Sequence, residues 1–123
     1  MTIMEKALVI EDNPDNFRLI SYPLKRAGYQ IDWAVDGLNG LKMALAGEYL
    51  FILLDVGLPD VDGLEVARKI REVDQHIPII ALTSFAMTGD REKALAAGCN
   101  GYLEKPIDTE SIIANIETIV RVK

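Results

Sequence analysis

Three short, uninterrupted apolar runs place the strongest limit on how this chain can fold. They are Ala7–Ile10, Leu50–Leu54 and Ile79–Leu82, which read ALVI, LFILL and IIAL. An unbroken apolar run of this length is typical of a strand that is buried on both faces, as central strands of a parallel sheet are. Two further runs, Ile31–Ala34 and Gly101–Leu103, alternate in polarity or are very short. Both properties are typical of strands at the edge of a sheet.

The segments between these runs have the features of helices. Asn13-Pro14 predicts a helix N-cap followed by a first-turn proline. Gly28 and Gly98 each follow what reads as a helix C-terminus. Pro23 lies inside the first predicted helix and is expected to bend it. The last segment carries an apolar stripe at helical spacing, which predicts packing on the core: Ile112, Ile113, Ile116, Ile119 and Val120.

The order of central and edge runs predicts the topology. With the first, third and fourth runs in the middle and the second and fifth at the edges, the strands match the order 2-1-3-4-5. We therefore predict an α/β fold with a doubly wound, five-stranded parallel sheet. This is a flavodoxin-like (βα)5 three-layer sandwich.

Size, charge and cysteine content narrow the class of protein. The chain has 123 residues, a formal net charge of -6 and one cysteine. The negative charge argues against direct binding to nucleic acid or to an anionic membrane surface. Cys99 cannot form an internal disulfide and is expected to be a small buried side chain.

We find no signal-peptide pattern and no apolar stretch of ~18 residues, so we expect a cytoplasmic protein. We also expect residues 1–123 to form one domain without an output domain.

Polar side chains follow four of the five runs, at the point where each run ends. Glu11-Asp12 follows the first run, Asp55 the third, Thr83-Ser84 the fourth and Glu104-Lys105-Pro106 the fifth. The carboxyl ends of parallel strands meet at one edge of the sheet, and the first and third strands are neighbours in the predicted order. We therefore expect Glu11, Asp12 and Asp55 to converge.

Three converging carboxylates repel one another and are expected to take up protons unless a cation joins them. Oxygen ligands suit Mg²⁺, and three negative charges are balanced by Mg²⁺ together with Lys105. Such a site suits phosphoryl transfer, with Asp55 as the nucleophile. Taken singly, Glu11-Asp12 could be a solvated strand end, Thr83-Ser84 a turn and Lys105 a surface lysine. Their joint placement at four strand ends is what favours a site.

These motifs resemble the receiver domains of two-component response regulators, over essentially the whole chain. The resemblance is carried by Glu11-Asp12, the run LLDVGLPDVDG around Asp55, Leu82-Thr83-Ser84 and residues Tyr102 to Pro106. It implies that Asp55 accepts a phosphoryl group from a histidine kinase or phosphotransfer protein and forms an aspartyl phosphate. It also implies that the chain is not a turnover enzyme, since it promotes only its own phosphorylation and slow dephosphorylation.

The resemblance further implies a role for each residue of the site. Asp12 and Asp55 would ligate Mg²⁺ directly, with Mn²⁺ as an alternative ion. The Gly57 carbonyl would be a third ligand, and Glu11 would act partly through water. The Lys105 side chain would pair with Asp55, and the Lys105–Pro106 peptide bond would be cis. The backbones of Gly57 and Ser84 would contact the phosphoryl group.

Signal output is also implied by the resemblance. Thr83 and Tyr102 would form a switch pair, in which the hydroxyl moves to the phosphoryl group and the ring turns inward. We expect the loop of residues 84–89 to be the element that moves. Because we expect no output domain and the net charge is negative, we also expect signalling through a downstream protein, bound at the face formed by the fourth helix, fifth strand and fifth helix. The chain itself would be a monomer or a weak dimer.

Other functions fit the sequence less well. An aspartate-nucleophile phosphatase needs a second acid two residues after the nucleophile, where this chain has Gly57. A nucleotide-binding domain would need a glycine-rich phosphate loop, and an FMN binder would not have an acidic first loop. His76 lies in a loop before a strand and is expected to be exposed, which makes a phosphohistidine carrier a weak alternative. A receiver-like interaction module that is never phosphorylated stays open.

Overall fold

A computed structural model describes residues 5–83 and 90–121 of the chain, without the side chains of residues 90 and 121. Five strands and five helices alternate within these described residues. The strands are β1 (Lys6–Ile10), β2 (Gln30–Ala34), β3 (Phe51–Asp55), β4 (Ile79–Thr83) and β5 (Gly101–Glu104). The helices are α1 (Pro14–Arg26), α2 (Gly37–Ala46), α3 (Gly63–Val73), α4 (Asp90–Ala96) and α5 (Ile112–Arg121).

The strands form one parallel sheet in the order β2-β1-β3-β4-β5, which confirms the predicted topology. The register pairs Ile10 with Leu54 across β1 and β3, and Asp55 with Leu82 across β3 and β4. The carboxyl ends of β1, β3 and β4 are therefore level with one another. This edge of the sheet is where the predicted site residues meet.

Two apolar layers cover the sheet, one on each face. Leu8, Ile52 and Ile79 face the layer of α2, α3 and α4, where their cluster includes buried residues such as Ile70 and Ala94. The alternate residues of the same strands, among them Val9, Leu53 and Ile80, face α1 and α5. Both faces of the central strands are buried, as their continuous apolar runs predicted. The α5 stripe belongs to the second layer, since Ile112 and Ile116 are buried and Ile113, Ile119 and Val120 pack against it.

The helix ends follow the predicted chemistry. The Asn13 side chain accepts hydrogen bonds from the backbone N–H groups of Asp15 and Asn16, and Pro14 opens α1. Gly28 and Gly98 have positive φ angles of 98° and 105°, the conformation that glycine adopts without steric cost after a helix. Helix α1 continues through Pro23 to Arg26, so the proline does not end it, and the expected bend stays a prediction.

The structure also shows the surroundings of Cys99 and His76, the isomer of one proline bond and the character of the helices. Cys99 is buried, and burial raises the pKa of its thiol to about 11. His76 is exposed, as expected for a loop residue. The Lys105–Pro106 peptide bond is cis. Within residues 5–83 and 90–121, none of the helices has the length and apolar character needed to cross a membrane.

Candidate functional site

Asp55 is the last residue of β3 and is only 4% exposed. Its Oδ2 atom lies 3.1 Å from Nζ of Lys105, which extends from the end of β5. Its Oδ1 atom accepts a hydrogen bond of 3.0 Å from the backbone N–H of Gly57. The strand therefore ends on a buried carboxylate because a cation and a backbone donor stabilise it there.

Glu11 is fully buried beside Asp55, one residue beyond the end of β1. Its Oε1 atom lies 3.0 Å from Nζ of Lys105, and its Oε2 atom accepts a hydrogen bond of 3.2 Å from the backbone N–H of Asn13. Lys105 is 12% exposed and thus lies between two buried carboxylates. One lysine cannot neutralise both of them.

The two carboxyl groups differ in pKa because they compete for the same neighbours. Burial raises the pKa of Glu11 to about 7, and the adjacent Asp55 acts in the same direction. Burial alone would also raise the pKa of Asp55. The hydrogen bond with Glu11, the Gly57 N–H and the charge of Lys105 outweigh it and lower that pKa. These opposite shifts favour Asp55, and not Glu11, as the ionised member of the pair.

Asp12 completes an acidic cluster at this edge of the sheet. Carboxylate oxygens of Glu11, Asp12 and Asp55 all lie within 4.8 Å of one another, as the sequence predicted. Asp12 is exposed, whereas the other two are buried, so the cluster is open to solvent on one side. Three oxygen ligands opposed by a single lysine fit a hard divalent cation such as Mg²⁺.

The predicted switch residues lie on the other side of Asp55. Thr83 ends β4, and its carbonyl accepts a hydrogen bond of 2.7 Å from the backbone N–H of Lys105. A cavity of about 350 Å³ lies next to Asp55, and its lining includes Thr83 and Tyr102. Tyr102 is half-buried and packs against the apolar layer of α2, α3 and α4. Ser84 and the rest of the predicted moving loop lie outside the described residues.

Two further residues support the site, and the sequence pattern did not identify them. Asp60 accepts hydrogen bonds of 2.9 and 3.0 Å from the N–H groups of Gly37 and Leu38, which ties the loop after β3 to the start of α2. These bonds lower the pKa of Asp60. Trp33 of β2 donates its indole N–H to the Glu11 carbonyl at 2.7 Å. Neither contact has a local sequence signal, because each joins residues that are far apart in the chain.

The fold is that of a doubly wound α/β protein. It carries an acidic cluster and a lysine at the carboxyl edge of its sheet, where proteins of this class bind their ligands. A sequence model described as the response regulator receiver domain matches residues 7–117. This chain belongs to the response regulator receiver domain family of two-component signalling systems.

Curated relatives agree with this assignment. The chain is 35% identical over 116 residues to the transcriptional regulatory protein CusR of Escherichia coli K12. The aligned residues cover 94% of this chain and 51% of CusR. It is 39% identical over 118 residues to the response regulator ArlR of Staphylococcus saprophyticus, covering 96% and 53% of the two chains. The chain thus spans about half the length of the curated relatives that it matches.

Solved structures give the same result. The receiver domain of the sensor histidine kinase PA1611 of Pseudomonas aeruginosa PAO1 matches with a TM-score of 0.87 and 36% identity, over 96% of this chain and 98% of that one. That structure has a magnesium ion coordinated in its active-site cleft. Chemotaxis protein CheY4 of Vibrio cholerae matches with a TM-score of 0.89 and 27% identity, over 95% and 99% of the two chains.

Proposed function

We propose that Asp55 is the phosphoacceptor of this receiver domain, and that its phosphorylation changes how the protein binds a partner. The observation that carries this proposal is the environment of Asp55. It is a buried carboxylate held by Lys105 and the Gly57 N–H, at the strand end where Glu11 and Asp12 converge. The donor would be a phosphohistidine of a histidine kinase or phosphotransfer protein.

The transfer follows from the chemistry of these groups. A carboxylate oxygen of Asp55 attacks phosphorus and forms an O–P bond, while the P–N bond of the donor breaks. The electron pair of that bond stays on the donor imidazole, which takes up a proton. Nζ of Lys105 already lies 3.1 Å from Oδ2 of Asp55. After the transfer it would bind the negatively charged phosphoryl oxygens. The product is an acyl phosphate on Asp55.

A divalent cation would be held by the acidic cluster. We propose Asp12 and Asp55 as direct ligands, the Gly57 carbonyl as a third and Glu11 as a ligand through water. When bound, Mg²⁺ supplies positive charge that offsets the repulsion between the carboxylates and the incoming phosphoryl oxygens. One carboxylate of the cluster is exposed to solvent, which suits a bound ion that keeps some of its waters.

We propose that Thr83 and Tyr102 convert phosphorylation into a change of surface. The cavity beside Asp55 supports this role, because Thr83 and Tyr102 both line it and leave room for a side chain to turn inward. A second cavity, of about 490 Å³, lies between β5 and α5 and includes Tyr102, Leu103 and Ile119 in its lining. An inward turn of Tyr102 would change this groove, which makes the face of α4, β5 and α5 the proposed binding surface for a downstream protein.

The phosphoacceptor is tested by labelling with acetyl phosphate in the presence of Mg²⁺. The wild type should acquire one phosphate that is stable in acid and released by hydroxylamine, and Asp55→Asn should acquire none. Asp15→Asn, which changes an exposed carboxylate on α1, is the matched control and should label like the wild type. Stoichiometric labelling of Asp55→Asn would show that the phosphoacceptor lies elsewhere.

The switch is tested with beryllofluoride, which mimics the bound phosphoryl group. We expect the ring resonances of Tyr102 to shift in the wild type when beryllofluoride and Mg²⁺ are added. Thr83→Ala should still bind beryllofluoride but should lose most of this shift. An equal shift in the variant would show that the Thr83 hydroxyl does not drive the ring.

A further inference from the structure

Trp33 is the single tryptophan of the chain and lies on the edge strand β2. Its indole Nε1–H donates a hydrogen bond of 2.7 Å to the backbone carbonyl of Glu11. The backbone N–H of Glu11 donates at 3.0 Å to the carbonyl of Ala34, the next residue of β2. Strand β2 therefore holds both backbone polar groups of Glu11, one through its main chain and the other through an indole.

The indole bond lies where the ladder between the strands has ended. The register of β1 and β2 stops at the pair Ile10 and Ala34, so Glu11 is one residue beyond it. The carbonyl of Glu11 and the nitrogen of Asp12 belong to one planar peptide unit. A donor that holds this carbonyl therefore sets the direction in which the chain enters Asp12.

A ring stack fixes the indole itself. Phe17 of α1 lies against Trp33 with the ring centroids 4.2 Å apart and the planes 6° from parallel. The backbone N–H of Phe17 donates at 3.0 Å to the carbonyl of Asn13, in the first turn of the helix. The indole therefore contacts the end of β1 through the Glu11 carbonyl and the first turn of α1 through Phe17.

We propose that Trp33 is a positioning residue of the metal site, which orients Asp12 through the Glu11–Asp12 peptide. This inference rests on the proposed function, in which Asp12 is a direct ligand of Mg²⁺. Groups that hydrogen-bond directly to a metal ligand commonly change metal affinity by about 10- to 100-fold when they are removed. Trp33 acts one peptide unit further away, so we expect an effect at the lower end of that range. Trp33 acts on the geometry of the ligand and takes no part in the transfer itself.

The test compares Mg²⁺ binding by calorimetry, at constant pH and ionic strength, in the wild type, Trp33→Phe and Tyr49→Phe. Trp33→Phe keeps a ring against Phe17 and removes the donor. Tyr49→Phe is the matched control, because it removes the 2.8 Å hydrogen bond to Asp32, the residue beside Trp33 on β2. We expect about tenfold weaker Mg²⁺ binding in Trp33→Phe, and binding within twofold of the wild type in Tyr49→Phe.

Two further measurements separate positioning from a general loss of structure. Acetyl phosphate labelling of Trp33→Phe should be slow at low Mg²⁺ and should return to the wild-type rate when Mg²⁺ is saturating. The amide resonances of Asp12 and Asn13 should shift in this variant, while those of the distant α3 should not. Replacing the tryptophan with benzothienylalanine, which keeps the ring shape and lacks the N–H, should give the same result if Trp33→Phe does not fold.

The outcomes distinguish this inference from the proposed function. A wild type that does not bind Mg²⁺ would overturn the proposed function and, with it, the role of Trp33. A wild type that binds Mg²⁺, together with a Trp33→Phe variant of equal affinity, would overturn the role of Trp33 alone. A labelling defect that persists at saturating Mg²⁺ would also overturn it, because misplaced ligands are compensated by a higher metal concentration.

Discussion

At the scale of single residues, Lys105 balances the charge of the site. Its Nζ lies 3.0 Å from Glu11 and 3.1 Å from Asp55, and both carboxylates are buried. Burial acts to lower the pKa of Lys105, but the two carboxylates outweigh it and raise that pKa. In the absence of Mg²⁺, Lys105→Met should lower the free energy of unfolding by about 3 kcal/mol, because it leaves buried carboxylates without their cation.

Urea denaturation in EDTA measures this loss. Lys42→Met is the control, because Lys42 is exposed on α2 and should change the free energy of unfolding by less than about 0.5 kcal/mol. If the two lysine variants were equally stable, the ion pairs of Lys105 would contribute nothing in the metal-free protein. Protonation of Glu11 would then be sufficient to relieve the repulsion.

At the scale of elements, two helices are each followed by a glycine of positive φ, and the two glycines have different surroundings. A Cβ on Gly28, which follows α1, would meet no atom within 4 Å. A Cβ on Gly98, which follows α4, would lie 2.5 Å from Cγ of Arg71. That arginine cannot withdraw easily, because its Nε donates to the Gly98 carbonyl at 2.8 Å and its other nitrogens bind Asp74 and Asn100.

The pair of glycines therefore separates backbone strain from packing. Gly28→Ala should cost about 1–2 kcal/mol of unfolding free energy, from the left-handed conformation alone. Gly98→Ala should cost at least about 1 kcal/mol more, because Arg71 must also move. Urea denaturation of both variants measures the difference. Equal losses would show that Arg71 moves aside without cost.

At the scale of the whole molecule, one tyrosine contributes to the alkaline limit of stability. Burial raises the pKa of Tyr49 to about 12, and the hydrogen bond to Asp32 adds to the effect. Lys6 lies against the same pair, 3.4 Å from Asp32 and over the Tyr49 ring. In the unfolded chain the pKa of a tyrosine is about 10. Between these values the unfolded state loses a proton that the folded state retains.

The sign of the effect follows from that difference. A pKa that is raised in the folded state stabilises it fully below about pH 10, and the contribution is lost as the pH rises towards 12. The free energy of unfolding should therefore fall more steeply over this range in the wild type than in Tyr49→Phe. Urea denaturation at several pH values measures the slopes. Parallel slopes would show that Tyr49 titrates normally in the folded protein.

The sequence determined the order of the strands and the membership of the acidic cluster. Burial on both faces leaves a continuous apolar run and burial on one face leaves an alternating one, so the local pattern distinguishes central strands from edge strands. A parallel sheet then brings the ends of its strands together, which predicted that Glu11, Asp12 and Asp55 would converge. These inferences need only local periodicity and one topological rule.

Only the tertiary structure decided how the members of the cluster differ. Glu11 and Asp12 are adjacent carboxylates in the sequence, yet one is fully buried with a raised pKa and the other is exposed. The strand end turns one side chain towards Lys105 and the other towards solvent. The contact of Trp33 with the Glu11 carbonyl is of the same kind. Burial, charge balance and such contacts depend on neighbours brought together by folding, and no local pattern records them.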